Sequence, residues 1–228
     1  IKKLFKFDPN LIVIKNILSI GIPNSIENSM FQIGKIIVQG LVVSFGTSAL
    51  AANAVAGSIA NIAIIPGMAV GLSMITVVGQ CVGAQRFDEA KKYIKILTLV
   101  SIASMTIVNI PVALSTNIIV SVYKLTAETA MMTEKIIIYH SICAIVIWAI
   151  SFTLPNGLRA ANDVKFTMIV ATISMWVFRI AFSYVLGVYM NMGVFGVWVA
   201  MTIDWLFRAI VFTIRYFSGK WKNKALIG

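Results

Sequence analysis

Long apolar stretches, separated by short clusters of polar residues, glycine and proline, follow one another along the chain. The hydrocarbon core of a bilayer is about 30 Å thick, so a helix needs roughly 20 apolar residues to cross it. Six stretches are long enough, at residues 16–44, 49–82, 96–114, 136–154, 166–188 and 194–214. The pattern therefore predicts an all-α integral membrane protein, built as a bundle of six transmembrane helices.

Prolines interrupt or end several of these stretches. Pro23 lies inside the first, Pro66 interrupts the second, and Pro155 is expected to end the fourth. A proline removes a backbone hydrogen bond and disturbs the helix around it. We therefore regard Pro23 and Pro66 as candidate hinges, with a static kink as the alternative. The longest connector, at 115–135, contains an apolar run at 118–120 that predicts a short interfacial helix.

The composition supports a membrane location. Hydrophobic residues make up 59% of the chain and charged residues 12%, whereas soluble domains are about 45–50% apolar and about 25% charged. The formal net charge of +11 would suggest a nucleic acid partner in a soluble protein. No basic stripe with interleaved aromatic residues is present, so we expect no nucleic acid binding. Contact with anionic lipid headgroups explains the excess of lysine and arginine.

The positions of lysine and arginine predict the orientation of the chain. With the amino terminus in the cytoplasm, fourteen of the nineteen lie in loops on the inner side, and only Lys124 and Lys135 lie in outer loops. This asymmetry follows the positive-inside rule and supports an even number of spans, because both ends come out on the cytoplasmic side. We therefore predict a cytoplasmic lead-in at 1–15, a transmembrane lobe at 16–214 and a basic cytoplasmic tail at 215–228.

The first predicted helix carries many polar residues for a membrane span. At 100° per residue they fall on one arc about 140° wide, and the opposite side is mostly Ile and Met. The arc contains Asn24, Glu27, Asn28, Phe31, Gln32, Lys35 and Gln39. Polar residues in a span are costly and usually face a cavity or a partner. We predict that the arc lines a substrate path, and that Asn53 and Asn61 face it too or bond between helices.

Glu27 is the strongest candidate for coupling within this arc. A low-dielectric cavity disfavours the ionised form of a carboxylate. Glu27 can therefore exchange a proton near neutral pH, or bind a monovalent cation or a cationic substrate. The alternative is a purely structural role, paired with Lys35, although the two are too far apart along the helix for direct contact.

Arg179, Asp204 and Arg208 are expected to form structural ion pairs. Arg179 and Asp204 lie about equally far from the turn near Asn191, so an antiparallel hairpin brings them to the same depth. Arg208 follows Asp204 by one helical turn, in the favourable acid-first order. A proton-relay role for Asp204 is the alternative.

The sequence contains no combination of residues that indicates an enzyme or a metal site. No serine has a histidine and an acid at useful spacing, and there is no phosphate-binding loop. Cys81 and Cys143 have no motif spacing, and His140 has no partners at ligand spacing, so it is expected to be interfacial or packed. We expect no cofactor and no metal, only a coupling ion, H+ or Na+.

Several segments together resemble the carboxy-terminal lobe of the multidrug and toxic compound extrusion (MATE) family. They are GIPNSIENSMFQIGK at 21–35, FGTSALAANAVAGSIANIAIIPGMAVG at 45–71, VVGQCVGAQRFDEAKKYIK at 77–95, LRAANDVKF at 158–166 and GVWVAMTIDWLFRAI at 196–210. The chain also begins at Ile1 with a charged stretch unlike a signal peptide, and we expect it to be part of a longer protein.

The resemblance implies twelve helices in two lobes, with substrate moving through the cleft between them by alternating access. It further implies an antiporter that takes up protons or sodium ions and exports cationic or amphipathic drugs across the cytoplasmic membrane. The partner would be the amino-terminal lobe. Some members carry acids in the first and fourth helices of this lobe, whereas the fourth helix here has none between Glu134 and Asp163.

One alternative remains within the same broader superfamily, a lipid or oligosaccharide flippase. Such proteins favour a strongly basic central cavity, because their lipid-linked substrates are anionic. Only Lys35, Arg179 and Arg208 are basic residues within the predicted spans, which argues against this alternative. A non-transporting scaffold would not require the polar arc of the first helix.

Overall fold

The structure is a computed structural model that describes residues 11–225, except for a few side chains near each end of that range. Every regular element in this part of the chain is helical. The helices are α1 (Leu11–Val43), α2 (Thr47–Ala63), α3 (Ile65–Gly83), α4 (Phe87–Leu114), α5 (Thr116–Val122), α6 (Ala127–Ala160), α7 (Val164–Tyr189), α8 (Gly193–Ser218) and α9 (Lys222–Ala225).

The predicted membrane bundle is confirmed. Within the described residues, five helices are long and apolar enough to cross a bilayer, namely α3, α4, α6, α7 and α8. The polar residues of α1 lower its hydropathy, although its 33 residues extend about 50 Å at 1.5 Å per residue. Only Ile64 separates α2 from α3, so the second predicted segment is a helix broken next to Pro66. The connector between α4 and α6 contains the short helix α5.

The prediction that Pro155 ends the fourth helix was wrong. Helix α6 begins at Ala127 and continues to Ala160. The stretch Ala144–Thr153, just before Pro155, is π-helical. Its wider turns leave room for the proline ring, which an ordinary α-helical turn would press against a preceding carbonyl group. The fourth span therefore carries residues 156–160 on its helical surface rather than in a loop.

The prediction that a loop joins the second and third spans up to residue 95 was also wrong, because α4 already begins at Phe87. Asp88 and Glu89 lie in its first turn, where carboxylates interact favourably with the helix dipole. This polar first turn lowers the local hydropathy and hides the start of the helix.

Small residues bring α3 close to α6. A Cβ atom on Gly71 would lie 2.7 Å from Nδ2 of Asn156, and one on Gly67 would overlap the indole of Trp148. Both glycines are buried, and only a residue without a side chain allows this approach. Gly67 and Gly71 therefore determine where Trp148 and Asn156 project.

Segments that the charge rule assigned to one side of the membrane meet at one end of the bundle. Asp163, just before α7, accepts two hydrogen bonds from Arg215 of α8, at 2.7 and 3.0 Å. At the same end Lys222 bonds to Asp88 at 2.8 Å. The first ten residues of the predicted lead-in, with three of its lysines, lie outside the described residues.

The pair between Asp163 and Arg215 yields a stability prediction. Asp163 is buried, so Asp163→Asn is expected to lower the free energy of unfolding by about 3 kcal/mol, because the partly buried guanidinium of Arg215 loses its carboxylate. Thermal unfolding in detergent, followed by tryptophan fluorescence, measures the effect as a lower Tm.

Asp88→Asn provides the matched control at the same end of the bundle. The Asp88 side chain is 98% exposed, so water already screens its pair with Lys222 and its interaction with the helix dipole, and Tm is expected to fall much less than in Asp163→Asn. Equal Tm shifts in the two variants would contradict the assignment of a structural role to the Asp163 pair.

Candidate functional site

A cavity of about 1060 Å³ opens between α1, α2 and α3 on one side and α6, α7 and α8 on the other. Eight of the nine residues predicted to line a substrate path lie on its wall. They are Asn24, Glu27, Asn28, Phe31, Lys35, Gln39, Asn53 and Asn61. The polar arc of α1 therefore forms one wall of the cavity.

Gln32 is the one predicted path residue that does not line this cavity. Its side chain is exposed on another part of α1. On the helical wheel Gln32 lies at the outer edge of the arc, 80° from Asn24 at 100° per residue. The wall is thus narrower than the arc, and its centre lies closer to Phe31 and Lys35.

Glu27 pairs with Arg159 of α6, not with Lys35. Oε1 of Glu27 accepts a hydrogen bond from Nη2 of Arg159, and Nη1 of Arg159 donates to Oδ1 of Asn156 at 2.8 Å. Oε2 of Glu27 and Nε of Arg159 are buried and have no hydrogen-bond partner among the described residues. The pair links α1 to α6 and still has one acceptor and one donor to offer.

Arg159 is a site residue that the sequence reasoning missed, because it placed this residue in a loop. Trp148, Phe152, Asn156 and Arg159 all line the cavity. Their spacing of four, four and three residues is that of a single helical face. The same spacing can be read from the sequence, but it continues past Pro155, where the helix was predicted to end.

Asp204 connects α7 to α8 behind the cavity wall. It is fully buried and accepts hydrogen bonds from Arg208 at 2.9 and 3.3 Å. Nη1 of Arg179 lies 3.6 Å from Oδ2 of Asp204, and the hydroxyl of Ser174 also donates to this carboxylate. The structure thus brings together the three residues predicted to form ion pairs, at the depth that the hairpin geometry predicted.

Three cationic groups surround the ring of Phe31. Nζ of Lys35 lies 5.0 Å from the ring centroid, and Cζ of Arg179 and of Arg208 each lie 5.5 Å from it. Cations at this distance are attracted to the negative face of an aromatic ring. Phe31 therefore holds the cations of α7 and α8 against the wall formed by α1.

Amide and indole groups of α1, α2 and α8 meet on the cavity wall. Asn53 donates to Oε1 of Gln39 at 3.1 Å and accepts from Nε1 of Trp198 at 3.0 Å. Asn53 therefore both bonds between helices and faces the cavity, which were the two possibilities left open by the sequence. His140 is buried and packs edge-to-face against Trp198 and Trp205.

The two candidate hinges lie next to the cavity wall. Pro23 is buried inside α1, just before Asn24. Pro66 lies in the first turn of α3, immediately after the break at Ile64. Neither contributes to the lining itself, and their role as hinges stays a prediction.

Comparisons with known proteins match one family along most of the chain. The MatE family profile matches residues 23–185. The chain is 24% identical over 216 residues to the probable multidrug resistance protein NorM of Thermotoga maritima. This alignment covers 93% of this chain and 46% of that protein. For the probable multidrug resistance protein NorM of Bacillus cereus the identity is 26%, with coverage of 95% and 47%. The chain spans about half the length of these curated relatives.

Solved structures have the same fold. A multidrug resistance MATE family transporter of the MOP superfamily, in an outward-facing conformation, superimposes with a TM-score of 0.78 at 17% identity, over 94% of this chain and 49% of that chain. A MATE structure in a bent conformation gives a TM-score of 0.79 at 16% identity, over 98% and 50%. In each case the match covers about half of the solved chain.

The lining of the cavity can be tested by cysteine labelling. In a background with Cys81→Ser and Cys143→Ser, Asn28→Cys is expected to react with a hydrophilic maleimide roughly tenfold faster than Gln32→Cys. Asn28 lines the cavity and Gln32 does not, and a thiol in a water-filled cavity ionises to the reactive thiolate more readily than one outside it. Equal labelling rates for the two positions, which lie one turn apart, would count against the proposed orientation of α1.

Proposed function

The chain belongs to the MatE family, and we propose on this basis that it forms the second lobe of an ion-coupled antiporter that exports amphipathic compounds. The cavity carries the proposal. It combines a mostly polar wall on α1 with aromatic and apolar side chains on α6 and α8. A site of this kind accommodates compounds that have both a polar and an apolar part.

The partner in this proposal is an amino-terminal lobe facing the cavity. Two observations support this partner. The chain spans about half the length of its relatives, and the polar wall of α1 requires water or protein opposite it. Between two such lobes, alternating access exposes one site to each side of the membrane in turn. We place the transporter in the cytoplasmic membrane, with both ends of this chain in the cytoplasm.

Glu27 is the proposed coupling residue, and its partner Arg159 suggests how coupling works. The ion pair joins α1 to α6 across the site. When Glu27 takes up a proton or a sodium ion, its attraction for Arg159 falls and α1 is no longer held against α6. Because the site is lined by both helices, separating them disrupts it and releases the substrate. Pro23, four residues before Glu27, is where α1 would bend.

A flippase for lipid-linked substrates is the second candidate function. The observation that favours it is Arg159, a fourth basic residue on the cavity wall in addition to the three that the sequence identified. An anionic lipid headgroup would fit such a cavity better than a cationic drug.

The proposal predicts that Glu27→Gln abolishes gradient-driven export. The complete transporter is reconstituted in proteoliposomes, and dye efflux is followed under an imposed proton gradient and, separately, an imposed sodium gradient. Glu27→Gln keeps the shape of the side chain but cannot exchange a proton or attract a cation.

Glu128→Gln is the control, because Glu128 is exposed and does not line the cavity. It is expected to export at the rate of the unmodified protein. Export that persists in Glu27→Gln under both gradients would remove Glu27 from the coupling mechanism.

A further inference from the structure

Positive charges outnumber negative charges in the cavity. Lys35, Arg159, Arg179 and Arg208 line it, whereas Glu27 is the one carboxylate among the described lining residues. Asp204 lies behind the wall and pairs with both Arg179 and Arg208. Even when Asp204 is counted, two positive charges are left over, and one of them belongs to Lys35.

Lys35 has no carboxylate within salt-bridge distance in the part of the chain that the structure describes. Its ammonium lies over Phe31, and Arg179 approaches the same ring. Two like charges directed at one aromatic ring, inside a membrane protein, are unfavourable unless an anion, water or a carboxylate of the facing lobe compensates them. The excess positive charge is therefore concentrated around Phe31.

The aromatic faces near this position are already occupied by cations of the protein itself. Arg208 lies 5.5 Å from the ring centroid of Phe152 as well as of Phe31, and Trp148 stacks on Phe152 at 5.0 Å. A cationic compound would have to compete with these guanidinium groups for the rings. An anion would instead be attracted by them.

We propose that the cavity binds the anionic group of an amphipathic compound between Lys35 and Arg179, beside Phe31. This inference rests on the proposed transport function and defines the substrate class of the same site. The anionic group would accept charge-assisted hydrogen bonds from the ammonium and the guanidinium. The apolar body of the compound would lie against the tryptophans of the cavity, Trp148, Trp198 and Trp205.

Two sources can supply this chemistry, an anionic lipid or a water-soluble anionic amphiphile. Fluorescein and a rhodamine ester share a xanthene ring system but carry opposite charges, which makes them matched probes. The complete transporter is embedded in phosphatidylcholine nanodiscs, and dye binding is measured by fluorescence anisotropy. The measurement is repeated with phosphatidylglycerol added to the nanodiscs.

Fluorescein is expected to bind more tightly than the rhodamine ester. Lys35→Gln should weaken fluorescein binding about tenfold, since it removes one hydrogen bond between charged partners. Lys35→Arg keeps the positive charge and should bind fluorescein almost as tightly as the unmodified protein. Lys15→Gln is the control, because it removes the same charge from the same helix outside the cavity.

The outcomes separate this inference from the proposed function. Tighter binding of the rhodamine ester, or fluorescein binding that ignores Lys35→Gln, would overturn the anion site while leaving transport intact. Fluorescein binding that depends on Lys35, without gradient-driven export, would support the anion site and contradict the antiporter. If phosphatidylglycerol weakens fluorescein binding to the unmodified protein more than it weakens binding to Lys35→Gln, the result would support the site and identify a lipid as its occupant, because repulsion from the anionic surface acts on both proteins equally. Unchanged binding would support it with a soluble anion.

Discussion

A charge buried among membrane-spanning helices has to be compensated by the protein, because lipid cannot solvate it. Asp204 is the central case here. It is fully buried and receives hydrogen bonds from Ser174 and Arg208, while Arg179 lies within ion-pair distance. These contacts fix α7 against α8. They also orient two guanidinium groups toward Phe31 of α1, so the position of the cavity wall depends on this one carboxylate.

The charges of the cavity are arranged unequally around its two acids. Glu27 is matched by a single guanidinium and joins α1 to α6, whereas Asp204 is shared by two guanidinium groups and joins α7 to α8. The first pair has a buried donor and a buried acceptor without partners among the described residues, while both carboxylate oxygens of Asp204 are hydrogen-bonded. The two ion pairs therefore differ in how readily a bound ion or substrate can disturb them.

Much of this arrangement could be predicted from the sequence, because the spacing of residues along a membrane helix determines which face they share and at what depth they lie. The arc on α1 was recognisable since polar residues at helical spacing have few reasons to exist in a span. The contact between Arg179 and Asp204 followed from counting residues away from a turn. Arg159 could not be predicted in the same way, because Pro155 is a strong signal for a helix end and the π-helical turns that accommodate it have no clear signature in the sequence. The partners of Glu27 depend on packing between helices, which no pattern within one helix contains.

The π-helical stretch of α6 has a consequence for comparisons among related proteins. A π-helical turn holds more residues than an α-helical turn, so the loss of one residue from Ala144–Thr153 can be absorbed when the wide turns tighten toward ordinary α-helical geometry. Asn156 and Arg159 would then keep facing the cavity although the chain had become shorter. A one-residue gap at this place in an alignment is therefore compatible with an unchanged cavity wall. The same gap in an α-helical part of the span would turn the following residues by about 100° around the helix axis.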